Sequence, residues 1–332
     1  MQIEFPDTKL YLNNDDSLSG LAEKAERLFE HQLKNWQLAS DGYKSLASIQ
    51  VKLFEFEKFS IEAHFNPGRI ISSSAKVDTK SIQERLCFLC MNNLPAEQKA
   101  VSVFENYFLL VNPFPIFHKH FTIPLVDHVP QAIEFEIGNL LTISSLLGED
   151  YSVFYNGPRC GASAPDHLHF QAGNFGFMKI DNEYKDVLNA YGEIIYEDDE
   201  LITTAVTDSL RNFISLESNN ISKITAEFDR IYNLLNKEQS DEEPMMNIIC
   251  SYNNSWRLLV FPRSKHRPSY FYEEGENKLL ISPAAVDLGG VLIFPREEDF
   301  NKITKELIVD IFKQVTLSDD EFKYLSGKLK DR

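Results

Sequence analysis

His167, His169 and Gln171 stand in a row, each separated from the next by one apolar residue. In an extended chain successive side chains point to opposite faces. The alternation therefore puts two imidazoles and a carboxamide on one face, and Leu168 and Phe170 on the other. Just upstream, Asn156 to Ala164 is a turn of small residues, entered through an apolar run from Tyr151 to Tyr155 that reads as a buried strand. A neutral imidazole beside such a loop could attack a phosphorus while backbone N–H groups hold the phosphate oxygens. A bare H-x-H is more often structural, and a Gly/Pro/Asn cluster is usually a plain turn. What separates this segment from those cases is its conjunction with cysteines and histidines elsewhere.

Cys87-Phe88-Leu89-Cys90 has three readings: half of a zinc site, a redox pair, or two buried thiols with a coincidental spacing. A redox pair would open a thioredoxin-type βαβ unit, and no such unit is suggested here. Arg69 ends the turn Asn66-Pro67-Gly68-Arg69 and is either solvated surface or a phosphate contact. Asn112-Pro113-Phe114-Pro115 is at least a Pro-rich turn. Arg263, Lys265, His266 and Arg267 form the only dense basic cluster, which is either solvated or holds a second phosphate-bearing substrate.

These residues must be positioned by the elements around them. Leu18 to Trp36 has the helical spacing of Leu21, Ala25, Leu28, Leu33 and Trp36. Ile49 to Phe56 and Phe59 to Phe65 read as strands, the first with a phase slip of the kind a bulge or a strand end produces. Val101 to Pro130 reads as a hairpin of long strands, and Gln131 to Leu147 as a helix. Asp181 to Glu200 reads as a charged loop with a short element, Leu201 to Val206 and Asn212 to Leu216 as strands. Ile221 to Asn236 reads as a helix, followed by an acidic connector from Lys237 to Glu243. Met246 to Tyr252 and Trp256 to Phe261 form a hairpin pattern, and Asp299 to Val315 and Asp319 to Leu329 close the chain as helices. The pattern alone supports an α+β class.

The 332 residues hold 50 Asp and Glu against 33 Lys and Arg, a net charge of −17. That balance argues against nucleic-acid and anionic-membrane partners, which need a basic footprint. No basic leader with an apolar core opens the sequence, and no apolar run reaches membrane-spanning length. The four cysteines, Cys87, Cys90, Cys160 and Cys250, are too few for a disulfide framework and suit a reducing cytoplasm. Neither G-x-x-x-x-G-K-[ST] nor G-x-G-x-x-G is present.

Gly161 to Ala172, G-A-S-A-P-D-H-L-H-F-Q-A, resembles the active-site segment of one branch of the histidine-triad superfamily. That branch contains galactose-1-phosphate uridylyltransferase, diadenosine tetraphosphate phosphorylase and GDP-L-galactose phosphorylase, and His167 to Ala172 looks closest to the last. Trp256 to Ser264 resembles a Trp-led strand ending in P-R-S in the diadenosine tetraphosphate phosphorylases, and Val286 to Leu292 their glycine-containing strand start. The resemblance thus runs over roughly residues 49 to 300. One departure is the spacing: His167 lies four positions after Ser163, where the uridylyltransferase pattern has one fewer.

The resemblance implies an antiparallel histidine-triad-like sheet with helices, in two related halves. Residues 1–180 would be the catalytic half, and 181–332 a degenerate half that completes the substrate site. It implies His169 as a nucleophile that forms a nucleotidyl-histidine intermediate. Gln171 takes the third triad position, the mark of the transferase and phosphorylase branch. Nucleotide and phosphate contacts are expected at Asn112, Phe114, Asn156, Gly161, Ser163, Arg69 and Arg263. A structural zinc is expected on Cys87, Cys90, His128 and His167, although the phosphorylase relatives lack it. His118 and His120 are alternative ligands, or line the pocket or the surface. The implied substrate is a nucleotide sugar or a dinucleoside polyphosphate, with phosphate or a sugar 1-phosphate as acceptor, and a homodimer is the candidate assembly. A non-catalytic nucleotide-binding regulator and a hydrolase of the same fold are the alternatives.

Overall fold

The computed structural model describes residues 10, 20–70, 79–104, 106–236 and 242–331. Residues 237–241 of the acidic connector lie outside them. The chain is α+β. A small sheet pairs β1 (Gln50–Glu55) with β2 (Ser60–Phe65) antiparallel, and β2 with the late β13 (Val291–Phe294) in parallel. The large sheet has ten strands, every neighbouring pair antiparallel. Its first five are β3 (Ala100–Val103), β4 (Tyr107–Val111), β5 (His120–Pro124), β6 (Tyr151–Asn156) and β7 (His169–Asn174). The other five are β8 (Gly192–Glu197), β9 (Leu201–Thr207), β10 (Asn212–Ser218), β11 (Met246–Tyr252) and β12 (Trp256–Pro262).

The order across the sheet is β3-β4-β5-β7-β6-β11-β12-β10-β9-β8. Read inward from either edge, each set of five follows the same sequence: first, second, third, fifth, fourth. In each set a helix separates the third strand from the fourth, Ile137–Leu147 in the first and Ile221–Leu235 in the second. The sets meet where β6 pairs β11, with Asn156 opposite Asn247. They are not separate bodies, because β13 returns to pair with β2.

Both faces of the large sheet are covered, so β4, β5 and β6 are buried at every residue rather than alternating. One face packs under the helices Leu21–Asn35, Ile137–Leu147, Ile221–Leu235 and Asp319–Lys330, in a core that includes Leu168, Phe170, Tyr155 and Val260. The other face packs against the small sheet, α5 (Lys179–Tyr191) and the helix Lys305–Val315, around Phe154, Phe213, Phe261 and Phe294. Among the described residues no helix is long and apolar enough to cross a membrane.

Several expected elements differ. The charged segment at 181–200 is α5 followed by β8, because Ile180, Tyr184 and Val187 recur at helical spacing and pack inward beneath a charged outer face. The predicted long hairpin breaks into β3 and β4 at Phe104, whose φ is 34°. The first predicted helix ends at Asn35 and a second, Gln37–Ser45, follows. The helix predicted from Gln131 begins only at Ile137, and the closing one from Asp299 splits into Glu297–Lys302 and Lys305–Val315. β1 has no bulge: its register with β2 is continuous, Phe54 packs inward, and Val51 and Leu53 are exposed.

The two sheets are joined by a fully buried ion pair. Arg211 Nε lies 2.9 Å from Asp208 Oδ2, Arg211 Nη1 donates to Leu288 O at 3.0 Å, and the guanidinium stacks over Phe59. Removing one partner strands the other charge in the core. Arg211→Met should therefore cost about 3–5 kcal/mol of unfolding free energy in urea titrations, and the double change Asp208→Asn/Arg211→Met clearly less. Equal losses in the two variants would show that the buried carboxylate is not what sets the cost.

Candidate active site

A cavity of about 440 Å³ lies on the second face of the large sheet, where β5, β6 and β7 are uncovered. His169 is its deepest titratable group. The residue is 3% exposed, and its Nδ1–H donates to the carbonyl of His167 at 2.7 Å. That bond fixes the tautomer: the lone pair of Nε2 is left for the cavity, which His169 lines. Burial pushes its pKa down to about 4, against the opposing pull of the His167 carbonyl, so the ring is neutral near pH 7.

Gln131 clamps the backbone here. Its Oε1 accepts the His169 N–H at 2.8 Å, while its Nε2 donates to His169 O at 3.1 Å and Asn156 O at 2.9 Å. Nothing in the sequence marks Gln131, which reads there as the first residue of a helix.

Gln171 is also held from behind. His120 Nδ1 accepts the Ile116 N–H at 3.3 Å, so His120 carries its proton on Nε2 and donates it to Gln171 Oε1 at 3.1 Å. Burial first, then Arg69, pushes the His120 pKa down to about 3. With Oε1 engaged, the Gln171 amide turns its N–H groups to the cavity. His120 is therefore a fully buried support for Gln171, neither a ligand nor a pocket wall, while His118 is exposed beside Phe177.

The loop between β6 and β7 brings Gly161, Ala162 and Ser163 to the cavity wall. Gly161 has φ +100°, and a Cβ there would stand 2.6 Å from Ala284 Cβ, so both the conformation and the close approach require glycine. Asn112 and Phe114 line the cavity as expected, but the Asn112 carboxamide is partly spent: Oδ1 accepts the Phe114 N–H at 2.9 Å and Nδ2 donates to Thr122. Arg69 also lines it, with Nη1 bound to Phe114 O at 2.6 Å and its Nε buried without a partner among the described residues. Trp36, Phe88 and Leu89 give the cavity an apolar lining. His266, Arg267 and Asp287, a carboxyl raised to about 6 by burial, also line it.

Arg263 is a correction. It is buried, and its N–H groups go to Val315 O, Asn247 Oδ1, Pro283 O, Lys265 O and His266 O, so none is left for a phosphate. The P-R-S pattern located a residue that builds the wall rather than lining it.

His167 turns away from His169 and Gln171. It precedes β7, so the strict alternation expected of H-x-H does not extend to it. Its Nε2–H donates to Leu125 O at 2.8 Å, and Nδ1 faces Cys87 Sγ at 3.3 Å, Cys90 Sγ at 3.6 Å and His128 Nδ1 at 3.2 Å. Cys90 Sγ lies 3.2 Å from His128 Nδ1, and all four donor atoms fall within 4.8 Å of one another. Metal–ligand bonds of about 2.0–2.3 Å in a tetrahedron give ligand–ligand edges of roughly 3.3–3.8 Å. The four donors fit such a shell, and the Leu125 carbonyl supplies the outer hydrogen bond that orients a ligating imidazole.

A family model described as a domain of unknown function (DUF4922) matches residues 28–174, and one described as GDPGP1-like, C-terminal domain, matches residues 190–331. No curated protein matches by sequence. The fold is similar to that of yeast Ap4A phosphorylase Apa2, with a TM-score of 0.54 and 16% identity over 85% of this chain and 94% of the other. Its complex with AMP gives 0.55 and 16% over 86% and 97%, and its complex with Ap4A gives 0.51 and 14% over 85% and 97%. The antiparallel ten-stranded sheet thus has the fold of the yeast phosphorylase, and the GDPGP1-like match over residues 190–331 supports the resemblance of the H-x-H-x-Q segment to the histidine-triad branch of galactose-1-phosphate uridylyltransferase, diadenosine tetraphosphate phosphorylase and GDP-L-galactose phosphorylase.

Proposed function

We propose that this protein is a nucleotidyltransferase of the phosphorylase type, acting on a nucleotide sugar or a dinucleoside polyphosphate. The observation that carries the reading is the hydrogen bond from His169 Nδ1 to His167 O, which leaves Nε2 as the free nucleophile on the cavity beside the Gln171 amide. The solved complexes of the yeast phosphorylase hold AMP and Ap4A, which supports a nucleotide derivative as the ligand class.

In this reading the base and ribose lie against the apolar lining of Trp36 and Phe88, near Asn112 and Phe114. The α-phosphate lies against Ser163, the Gly161 backbone and Gln171. His169 Nε2 attacks the α-phosphorus in line; an N–P bond forms, the P–O bond to the leaving group breaks, and the leaving oxygen takes that electron pair. Nδ1–H stays on the His167 carbonyl, which stabilises the charge the ring acquires. An oxygen of inorganic phosphate or a sugar 1-phosphate then attacks the same phosphorus and the N–P bond breaks. His266 and Arg267 lie where a second anionic group would be received. Gln171 offers N–H donors but no proton to shuttle, which suits transfer better than hydrolysis. Residues 1–180 form the catalytic half, and 181–332 a degenerate half whose equivalent face is filled by apolar side chains.

We assign the Cys87, Cys90, His128 and His167 set to a structural zinc, because two thiolates and two imidazoles at tetrahedral spacing suit that ion and need a reducing, cytoplasmic setting. The ion would tie the Cys87 turn, the segment after β5 and the start of β7 together, and so fix His167.

Two outcomes follow. Incubated with donors but no acceptor, the protein should gain the mass of one nucleoside monophosphate by intact-mass analysis. Phosphate should discharge the adduct, and His169→Ala should abolish it and lower turnover at least about a thousandfold. Tight nucleotide binding without an adduct from any donor would leave the regulator reading in its place. Metal analysis of the purified protein should find about one zinc per chain, reduced to a trace in Cys87→Ser together with a lower melting temperature. Folded, metal-free wild-type protein with an unchanged melting temperature after chelation would rule the zinc out.

A further inference from the structure

The carboxamide of Asn156 is set by the C-terminal part of the chain. Its Oδ1 accepts two hydrogen bonds, from Asn247 Nδ2 at 2.8 Å and from the Ala285 N–H at 2.9 Å. Its Nδ2 is thereby turned to the cavity, which Asn156 lines, and it meets no acceptor among the described residues. Asn247 is fully buried. Its Nδ2 also donates to Cys160 O at 2.7 Å, and its Oδ1 accepts from Arg263 Nη1 at 2.6 Å.

Arg263 makes no ion pair among the described residues, and every other hydrogen bond it makes goes to a backbone carbonyl. The result is a directed chain, guanidinium to amide to amide, whose last N–H groups open on the cavity. Each bond in such a chain polarises the next, so the Nδ2 end is a stronger donor than an isolated carboxamide. The same guanidinium holds the carbonyl of His266 and so places His266 and Arg267 on the wall. A cation that would attract counter-ions at the surface is held in the core, and its polarity is delivered through neutral groups.

We propose that Asn247 and Arg263 are positioning residues for a phosphate subsite, in which Asn156 Nδ2 donates to a non-bridging oxygen of a nucleoside monophosphate group. The inference rests on the functional reading above for the place of the nucleotide, but it concerns binding and does not need the covalent step. Neither residue touches the ligand. Each acts by fixing which end of the Asn156 amide faces it.

Asn247→Asp is the informative change. It keeps the size and the bond to Arg263 but sets an oxygen against Asn156 Oδ1 and Cys160 O. The Asn156 amide is then held between opposed demands, since the new carboxylate oxygen calls for its N–H while the Ala285 N–H still calls for its oxygen, and Nδ2 is drawn away from the phosphate. Calorimetric titration with AMP, GMP and UMP, and with adenosine, guanosine and uridine, separates the phosphate from the rest of the ligand. For whichever monophosphate wild-type protein binds, Asn247→Asp should weaken binding about tenfold or more, since a hydrogen bond to a charged group is lost. Affinity for the matching nucleoside should stay within about twofold. In an Asn156→Ala background the same change should add less than about twofold, because its route through Asn156 is gone.

Should Asn247→Asp fail to fold, Arg263→Lys is read by the same pair of titrations with the same expected split. Equal weakening of nucleotide and nucleoside, an unaltered monophosphate affinity, full additivity with Asn156→Ala, or wild-type protein that binds none of the monophosphates would each overturn the proposal. A wild type that binds a monophosphate and shows the split, yet forms no covalent adduct, would overturn the transferase reading and leave the subsite standing.

Discussion

The backbone carbonyl of His167 is the point on which the site depends. It accepts Nδ1–H of His169, which sets both the tautomer and the aim of Nε2. A carbonyl can do this only if its own peptide is immobile, and His167 is fixed on every side. Its N–H reaches Ala164 O, its Nε2–H reaches Leu125 O, and its Nδ1 enters the Cys87, Cys90 and His128 set. The N–H of the same peptide, from Leu168, reaches Val129 O, pairing of β5 with β7 puts Pro124 opposite His169, and Gln131 binds the N–H and carbonyl of His169. The adjacent residues of His-Leu-His thus divide the work. One side chain anchors the segment, the next fills the core, and the third is free to react. Leu168 is the quiet member, buried under the helices of the opposite face.

The second constraint is the seam between β6 and β11. The two sets of five strands have the same internal order, yet their cavity-side faces differ in content. On the first, β5, β6 and β7 leave room for a ligand. On the second, α5 and the closing helices press Met178, Tyr184 and Phe312 against Phe213, Leu259 and Phe261, and the space is filled. Filling that face adds core and stiffness at the cost of a second site. The seam itself is polar where it meets the cavity: Asn156 and Asn247 face each other across it, and their side chains are bonded to each other. Strand pairing therefore places a C-terminal amide directly behind an N-terminal one.

How much of this could be read from the chain depended on whether the signal was local. His169, Gln171, Gly161 and Ser163 lie within one short segment, and the structure gathers them around the cavity. The Cys and His set was legible only through the resemblance: C-x-x-C alone left three readings, and it was the resemblance that added His128 and His167. Most strands were legible because their apolar runs are bounded by turn residues. α5 was not: its apolar positions are spaced between Asp, Glu and Lys, and composition masked the period. Gln131 and Asn247 were missed, and His120 was given another role, for a different reason. Each is a single polar residue whose part in the site comes from a partner distant in sequence, as in His120 to Gln171 at 51 positions and Asn247 to Asn156 at 91. Arg263 was found for its charge but misread, because charge alone does not tell a buried strut from a ligand contact.

That misreading bears on how an acidic protein handles an anionic ligand. A net charge of −17 would repel a nucleotide over long distances, but at physiological ionic strength the field of surface charge fades within about 8 Å. Selection for phosphate must then occur at contact, inside the cavity. Beside Arg69 and Arg267, the cavity that His169 lines offers donors with no formal charge: the Gln171 and Asn156 amides, the Ser163 hydroxyl and the loop backbone. Neutral donors suit a nucleophile that must stay unprotonated, yet a neighbouring guanidinium would not have harmed it in that respect, since a cation also holds an imidazole neutral. The advantage of amides lies elsewhere. They are rigid once locked from behind, and in the proposed reading they would bind each phosphate oxygen by direction rather than by net attraction and let a phosphoryl group leave His169 again. If the site accepts a nucleotidyl group and surrenders it, as proposed, it gains more from oriented dipoles than from a charge it would have to release.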